Sequence, residues 1–172
     1  MASVMVNPWF VFTRNALSDL GGPHARLPWI YNCGLVATAV LVIAYAAYVI
    51  DRADNKLIVT SAAFMAVGGI FLAMIGVFHE GTYPHVFVST WFFVQMDLSL
   101  ILWGAGSLAE GLRLKGSAEV ALGVAAPAVA IMVRWPSTAV EEVYGIVIID
   151  VFVLLSTYDV LTPGRFTRRR TR

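Results

Sequence analysis

The sequence predicts an all-α protein: a polytopic membrane helical bundle with five transmembrane helices and a short N-terminal interfacial helix. Two observations carry this prediction. First, the 172 residues are 59% hydrophobic and only 13% charged, with a mean hydropathy of +0.76, whereas soluble domains have about 25% charged residues. Second, the apolar residues fall into long stretches that approach the roughly 20 residues needed to cross a bilayer. Apolar surface on this scale is typical of a protein surrounded by lipid.

Each predicted span is bounded by charged residues, proline or glycine. The spans cover residues 28–50, 57–78, 86–106, 118–135 and 139–161. Strict alternation of polar and apolar residues is missing, which favours helices over the strands of a membrane barrel. The fourth span is the least apolar and contains Pro127, which membrane helices tolerate when neighbours satisfy the freed carbonyl. The connections are too short for a second unit, so we expect residues 1–172 to form a single domain.

Basic residues are distributed unequally between the two ends of the predicted bundle. One end carries Arg52, Lys56, Arg113, Lys115, Arg165, Arg168, Arg169, Arg170 and Arg172, and the other carries Arg14, Arg26 and Arg134. The positive-inside rule predicts that the more basic end is cytoplasmic. We therefore expect a multi-pass protein of the cell membrane with a cytoplasmic C-terminus. Its basic tail, residues 162–172, should lie against anionic headgroups.

The balance of charge and the cysteine content limit the partners. A formal net charge of +1 argues against nucleic acid as a partner, because nucleic-acid-binding domains carry a strong basic excess. The lone Cys33 and the lack of paired Cys/His spacing predict no structural zinc site. No cofactor is predicted, with a divalent metal as the one alternative. The expected partners are the lipid bilayer and either a second copy of the chain or another membrane protein.

The segment before the first span is expected on the outer face. Residues 13–22, TRNALSDLGG, are typical of a short helix that begins after Thr13 as N-cap. Gly21 or Gly22 would end this helix in the left-handed conformation. The preceding apolar stretch, residues 4–12, is too short to span, so we expect it to lie on the membrane surface.

Polar residues at the outer end and inside the spans predict a pocket. Asp97 and Asp150 lie near the middle of the third and fifth spans, where an acidic residue costs about 2.5–3.5 kcal/mol to insert. We therefore expect both side chains to face the bundle interior, where they either serve a site or only hold helices together by hydrogen bonds. The predicted ligand or proton pocket consists of Asn15, Ser18, Asp19, His79, Glu80, His85, Asp97, Glu141, Glu142 and Asp150.

Three residues of the second outer connection are candidate metal ligands. His79, Glu80 and His85 combine imidazole and carboxylate groups, which suit a divalent ion such as zinc. The two histidines are separated by Gly81 and Pro84 and lack the spacing of an HExxH helix. A structural role, in which the same residues cap helix ends and pair with arginines, also accounts for them. No catalytic residue is assigned.

Several motifs together suggest a family. They are NPWFVFTRNALSDLGG at 7–22, Asn32 and Gly34 in YNCGL, GVFHEG at 76–81 with His85 close behind, and the pair Glu141 and Glu142. This pattern resembles the prokaryotic membrane family catalogued as domain of unknown function 998, over nearly the whole chain. The resemblance implies a bundle of about six helices and no established activity. Relatives carry a transmembrane helix before the PWF segment, so here that first helix is either lost or lies upstream.

The function predicted from these observations is binding or transport of a small molecule, lipid or proton through an outward-facing polar pocket. One alternative is a metal-assisted membrane hydrolase that acts through His79, Glu80, His85 and Asp19. A second alternative is an accessory subunit of a membrane complex. An enzymatic role is the less favoured class, because no nucleophile and base can be paired from the sequence.

Overall fold

The architecture is entirely helical. A computed structural model of the chain describes residues 1–162, and these residues contain helices and turns but no strand, as predicted. The helices are α1 (Ala2–Val6), α2 (Trp29–Arg52), α3 (Lys56–Val77), α4 (His85–Ala109), α5 (Arg113–Met132) and α6 (Thr138–Leu161). A single 3-10 turn at Leu17–Gly21 lies between α1 and α2. The expected headgroup contact of the basic tail falls almost wholly on residues 163–172, outside the described residues.

Four of these helices have the properties of membrane spans. By length and composition α2, α3, α4 and α5 are each long and apolar enough to cross a membrane. The chain is therefore a multi-pass membrane protein. Helix α6 is also 24 residues long but is not one of the four, so the count of five spans is not confirmed. It carries Glu141, Glu142, Asp150 and Asp159 along its length.

The first residues of the long helices follow the predicted spans with one exception. Helices α2, α3, α4 and α6 each begin within one residue of the predicted start. Helix α5 begins at Arg113 rather than at residue 118, so the polar stretch taken for a connection forms its first turn. Side chains cap two helices, because Asn55 accepts a hydrogen bond from the Leu57 amide and Ser137 accepts one from the Val140 amide.

The long helices run alternately up and down the bundle. This places residues 1–28, 78–84 and 133–137 at one end, which we call the N-terminal end. Residues 53–55 and 110–112 lie at the opposite end, called the C-terminal end, where the Asn55 side-chain amide donates to Glu110 Oε1 at 2.9 Å. Helix α6 runs alongside α4 and α2. Its Phe152 ring meets the buried Trp103 ring edge-on at 5.9 Å, and its Ser156 accepts a hydrogen bond from Tyr45.

Small residues bring the helices close together. A Cβ atom added to Gly104 of α4 would lie 2.7 Å from the Val120 backbone nitrogen of α5, and one added to Gly116 of α5 would lie 2.7 Å from the Gly104 carbonyl oxygen. Between α3 and α4, Ser61 and Ser99 each donate a hydrogen bond to the other's backbone carbonyl. Close approach through small and hydroxyl residues is the usual way in which membrane helices associate.

The predicted helix at 13–22 is formed only in part, and both of its predicted caps are wrong. Only Leu17–Gly21 form a 3-10 turn, and Ala16 rather than Thr13 precedes it. Side chains of the segment bond its own backbone, which competes with a continuous helix. Neither predicted terminal glycine is left-handed, since among described glycines only Gly81 and Gly111 have positive φ.

Candidate functional site

Asn7 stabilises the N-terminal segment at the N-terminal end of the bundle. This side chain is fully buried and makes four hydrogen bonds. Its Nδ2 group donates to the carbonyls of Ser3 and Arg26, while Oδ1 accepts from the Arg26 amide and from the Trp9 indole. Asn7 therefore joins the two ends of the segment 3–26. The sequence contained a signal for this role in the NPW motif, but no role was assigned to it.

Asn15 and Asp19 organise the turn that follows. Asp19 Oδ2 accepts hydrogen bonds from the Ala16 amide at 2.9 Å and from Asn15 Nδ2 at 3.3 Å. The Asn15 side-chain oxygen accepts from the Val11 amide at 2.8 Å, and its backbone carbonyl accepts from the Ala139 amide of α6 at 2.9 Å. Asp19 thus caps its own turn, while Asn15 also attaches the turn to α6.

Glu142 connects this turn to the bundle. Its Oε2 atom accepts a hydrogen bond of 2.6 Å from the Leu17 amide, across 125 residues of sequence. A hydrogen bond from a backbone amide to a carboxylate is stronger than one to a neutral acceptor. Ser137, just before α6, adds a hydrogen bond of 2.6 Å to the Phe12 carbonyl. The N-terminal segment is therefore attached to the start of α6 at several points.

Ser18, Glu80 and His85 form a second linked group. Glu80 Oε2 lies 2.9 Å from His85 Nε2 and accepts a hydrogen bond of 3.3 Å from Ser18 Oγ. The other imidazole nitrogen of His85 lies 2.8 Å from the Phe78 carbonyl oxygen. A carbonyl oxygen only accepts, so Nδ1 must carry a proton. The contact between Nε2 and the Glu80 carboxyl group is then a hydrogen bond only if one of these two groups also carries a proton.

This arrangement differs from the serine–histidine pair of a catalytic site. The Ser18 hydroxyl donates to the Glu80 carboxyl group, which lies between the serine and the imidazole of His85. An activated serine instead needs a base that accepts its proton directly. His79 does not join the group, because its Nδ1 atom contacts the Glu80 backbone carbonyl oxygen at 2.8 Å. Within residues 1–162 no group of three or more His, Cys, Asp or Glu side chains is arranged to hold a metal ion.

A cavity lies between α4, α5 and α6, directly below this end of the bundle. Its volume is about 340 Å³, within the range of pockets that hold small molecules. Most of the wall is apolar or aromatic, including Phe93, Pro127 and Tyr144. Three carboxyl groups also line it: Asp97, Glu141 and Glu142.

Asp97 and Asp150, although similar in sequence, occupy different environments. Asp97 is half-buried and lines the cavity. Asp150 is exposed on the surface of α6, so the expectation that it faces the interior is wrong. The reason is helical geometry: Phe152 and Ser156, four residues apart on α6, face inward, and Asp150 lies two residues, or about 200°, away from Phe152.

The predicted residues thus separate into distinct groups. Around the cavity lie Asp97, Glu141 and Glu142, and above it Asn15 and Asp19 are linked to Glu142 through the backbone of residues 16 and 17. Ser18, Glu80 and His85 form the second group. His79 and Asp150 lie outside both.

A third polar cluster, at the C-terminal end, was missed by the sequence analysis. Lys115 Nζ lies 3.0 Å from Glu119 Oε1 and forms a hydrogen bond with Asp159 Oδ2, which also accepts from the Trp103 indole at 2.8 Å. Both carboxyl side chains are almost fully buried. The available signal was two acidic residues inside predicted spans, with Lys115 four residues before Glu119 on one helix face.

Comparison with known proteins gives a family match. A family model described as "Protein of unknown function (DUF998)" matches residues 1–159. No curated protein and no solved structure matches the chain. The family match covers nearly all of the helical bundle, including the NPWF segment, the GVFHEG motif and the two glutamates that begin α6. The chain therefore belongs to the DUF998 family, as the resemblance of its motifs predicted.

Proposed function

We propose that this protein binds a small cationic molecule with an apolar part in the cavity between α4, α5 and α6. The observation that carries the proposal is the composition of the cavity wall. Asp97, Glu141 and Glu142 are its charged residues, and none of the Lys or Arg residues between positions 1 and 162 lines it. A site with only acidic charges attracts a cation and disfavours an anion.

The apolar part of the ligand follows from the rest of the wall. Side chains such as Val94, Ile131 and Ile148 offer surface that favours hydrocarbon. The Phe93 and Tyr144 rings also line the cavity, and aromatic faces attract ammonium groups. An organic amine suits both kinds of surface better than a metal ion or a sugar.

The N-terminal segment is attached beside the site. Glu142 lines the cavity and also holds the Leu17 amide, so one carboxyl group serves the pocket and the segment beside it. The Ser18, Glu80 and His85 group holds the same segment against the connection between α3 and α4. We assign these contacts to positioning the segment, and assign ligand contact to the three cavity carboxyl groups.

The proposal includes five spans. Helix α6 contacts α4 at two levels, because a Cβ atom on Gly145 would touch the Phe93 ring and Phe152 packs on Trp103. A helix that accompanies α4 over this length crosses the membrane if α4 does. With five spans the Lys and Arg residues concentrate at the C-terminal end, which supports a cytoplasmic C-terminus in the cell membrane. The pocket then opens near the outer face.

Thermal stabilisation of the purified protein by benzylammonium tests the binding proposal. A ligand at 100 times its Kd stabilises the folded state by about 2.7 kcal/mol, so we expect a clear rise in Tm. Neutral benzyl alcohol, which has a similar shape, should give a much smaller rise. Asp97→Asn and Glu142→Gln should each reduce the benzylammonium effect, whereas Asp51→Asn, at the exposed end of α2, should not. Equal effects of the two compounds, or no loss in the Asp97 variant, would contradict the proposal.

A further inference from the structure

The outer surface of α6 has one acidic residue in an apolar setting. Asp150 is exposed and makes no hydrogen bond or ion pair with a described residue. Its exposed neighbours on the same helix are Val147, Val151 and Leu154. These side chains form a mainly apolar face that the bundle itself leaves uncovered. We call this set, together with Asp150, the α6 face.

The depth of Asp150 makes the exposure significant. The residue follows Thr138 by twelve positions and precedes Leu161 by eleven, so it lies about 17 Å from either end of the helix at about 1.5 Å per residue. This step rests on the fifth span proposed above. In a hydrocarbon layer about 30 Å thick, such a position is close to the midplane. An aspartate side chain is too short to reach water from there, unlike lysine or arginine.

An exposed carboxyl group at this depth requires a partner. Acidic residues inside membranes are costly, and they pair with other groups or face a wet cavity. The α6 face is opposite the cavity wall, since Asp150 points away from the inward residues Phe152 and Ser156. The partner must therefore come from outside the described bundle.

A second copy of this chain does not offer the complementary charge. The described Lys and Arg residues all lie in connections or within the first or last turn of a helix, at Arg14, Arg26, Arg52, Lys56, Arg113, Lys115 and Arg134. Those of the chain beyond residue 162 follow the end of α6. In the proposed topology, none of the described basic residues reaches the midplane. Charge complementarity thus points to a different membrane protein.

We propose that the α6 face docks a transmembrane helix of another protein that carries a lysine or arginine at mid-membrane depth. The carboxylate of Asp150 pairs with this cation, and the flanking valine and leucine side chains pack on the partner helix. The pairing removes the charge of both groups from lipid, so each helix makes the other's insertion more favourable. This surface is separate from the cavity on the inner side of α6.

A designed single-span probe tests the proposal. The probe is a helix of about 20 leucines with one lysine at its centre, co-expressed with the full chain, and association is measured by energy transfer between fused fluorophores. An all-leucine helix serves as the matched probe. We expect the lysine probe to associate about tenfold more strongly than the all-leucine probe. Asp150→Leu should abolish the difference, and Asp51→Leu, at the exposed end of α2, should leave it unchanged.

Charge reversal gives the decisive comparison. The Asp150→Lys variant should no longer associate preferentially with the lysine probe. It should instead associate with a probe that carries a central aspartate. Equal association of the lysine and all-leucine probes with the wild-type chain would overturn the proposal. Energy transfer should also be measured between two copies of the chain. If it occurs in the wild-type chain and disappears in Asp150→Leu, the proposal is overturned in favour of self-association.

Labelling separates this proposal from the topology on which it rests. In a variant that combines Asp150→Cys with Cys33→Ala, the thiol at 150 should resist a membrane-impermeant maleimide from both sides of the membrane. Labelling from water would overturn both the fifth span and the docking surface. Protection from the reagent without association of the lysine probe would overturn the docking surface alone.

Discussion

The Lys115 ammonium group lies between two buried carboxyl groups, 3.0 Å from Glu119 Oε1 and in hydrogen-bonding contact with Asp159 Oδ2. The cluster joins the start of α5 to the end of α6. Because the Glu119 side chain is only 1% exposed, its charge depends on the neighbouring ammonium group rather than on water.

Lys115→Met should therefore destabilise the bundle. Loss of one partner from a buried ion pair costs about 3–5 kcal/mol, and we expect the lower end of that range because Lys115 is 26% exposed. Thermal unfolding in detergent measures the effect. Lys56→Met is the matched control, since Lys56 is exposed at the start of α3 and has no ion pair with a described residue. Similar losses in both variants would contradict this role for Lys115.

Gly104→Ala should destabilise the contact between α4 and α5. The added methyl group would lie 2.7 Å from the Val120 nitrogen and 2.9 Å from the Gly116 oxygen, both backbone atoms. Overpacking of this kind costs about 1–3 kcal/mol. Gly34→Ala is the control, because nothing lies within 4 Å of its new Cβ, and alanine is about 0.5–1 kcal/mol better than glycine inside a helix. The two variants should shift Tm in opposite directions; an unchanged or raised Tm in Gly104→Ala would show that the contact accommodates a methyl group.

Glu142→Ala should loosen the turn over the cavity. The variant removes the carboxylate that accepts from the Leu17 amide, and a hydrogen bond to a charged group contributes about 1.5–3 kcal/mol. Hydrogen exchange of the Leu17 amide should accelerate by about tenfold or more. Glu141→Ala changes the neighbouring, exposed residue and should leave this amide unaffected. Unchanged exchange in Glu142→Ala would mean that the turn is held by its other contacts alone.

Cysteine labelling from the two sides of the membrane tests the orientation. In a Cys33→Ala background, Tyr83→Cys should react with an impermeant reagent on intact cells, since Tyr83 is fully exposed at the N-terminal end. Asp54→Cys, exposed between α2 and α3, should react only after the membrane is opened, because that end carries most of the basic residues. The reverse pattern would invert the topology and move the proposed pocket to the cytoplasmic side.

Hydropathy predicted where the helices lie but not how each is rotated about its axis. Asp97 and Asp150 have the same apolar context in sequence, yet only Asp97 lines a cavity. The rotation of α6 follows from packing contacts such as that of Phe152 on Trp103, which single-sequence periodicity does not specify in a helix that is apolar on most sides. The family resemblance, by contrast, depended on local motifs and was confirmed.

Sequence-based prediction failed at the N-terminal segment and at the charged cluster for a related reason. The turn at Leu17–Gly21 depends on contacts with Glu142 and Ala139, more than one hundred residues away, so local helix signals were misleading. Lys115 was placed in a connection at the cytoplasmic end because its partner Asp159 is distant in sequence. In both cases long-range polar contacts determined the local structure.

The contact of Gly104 with Gly116 limits how this protein can change during evolution. A steric conflict between two side chains can be relieved when a second substitution makes the opposing residue smaller. Here the atoms that oppose each glycine include the backbone of the other helix, and both residues already have the smallest side chain. No compensating substitution is available at this contact, so the two positions should stay glycine together while the surface of the bundle varies.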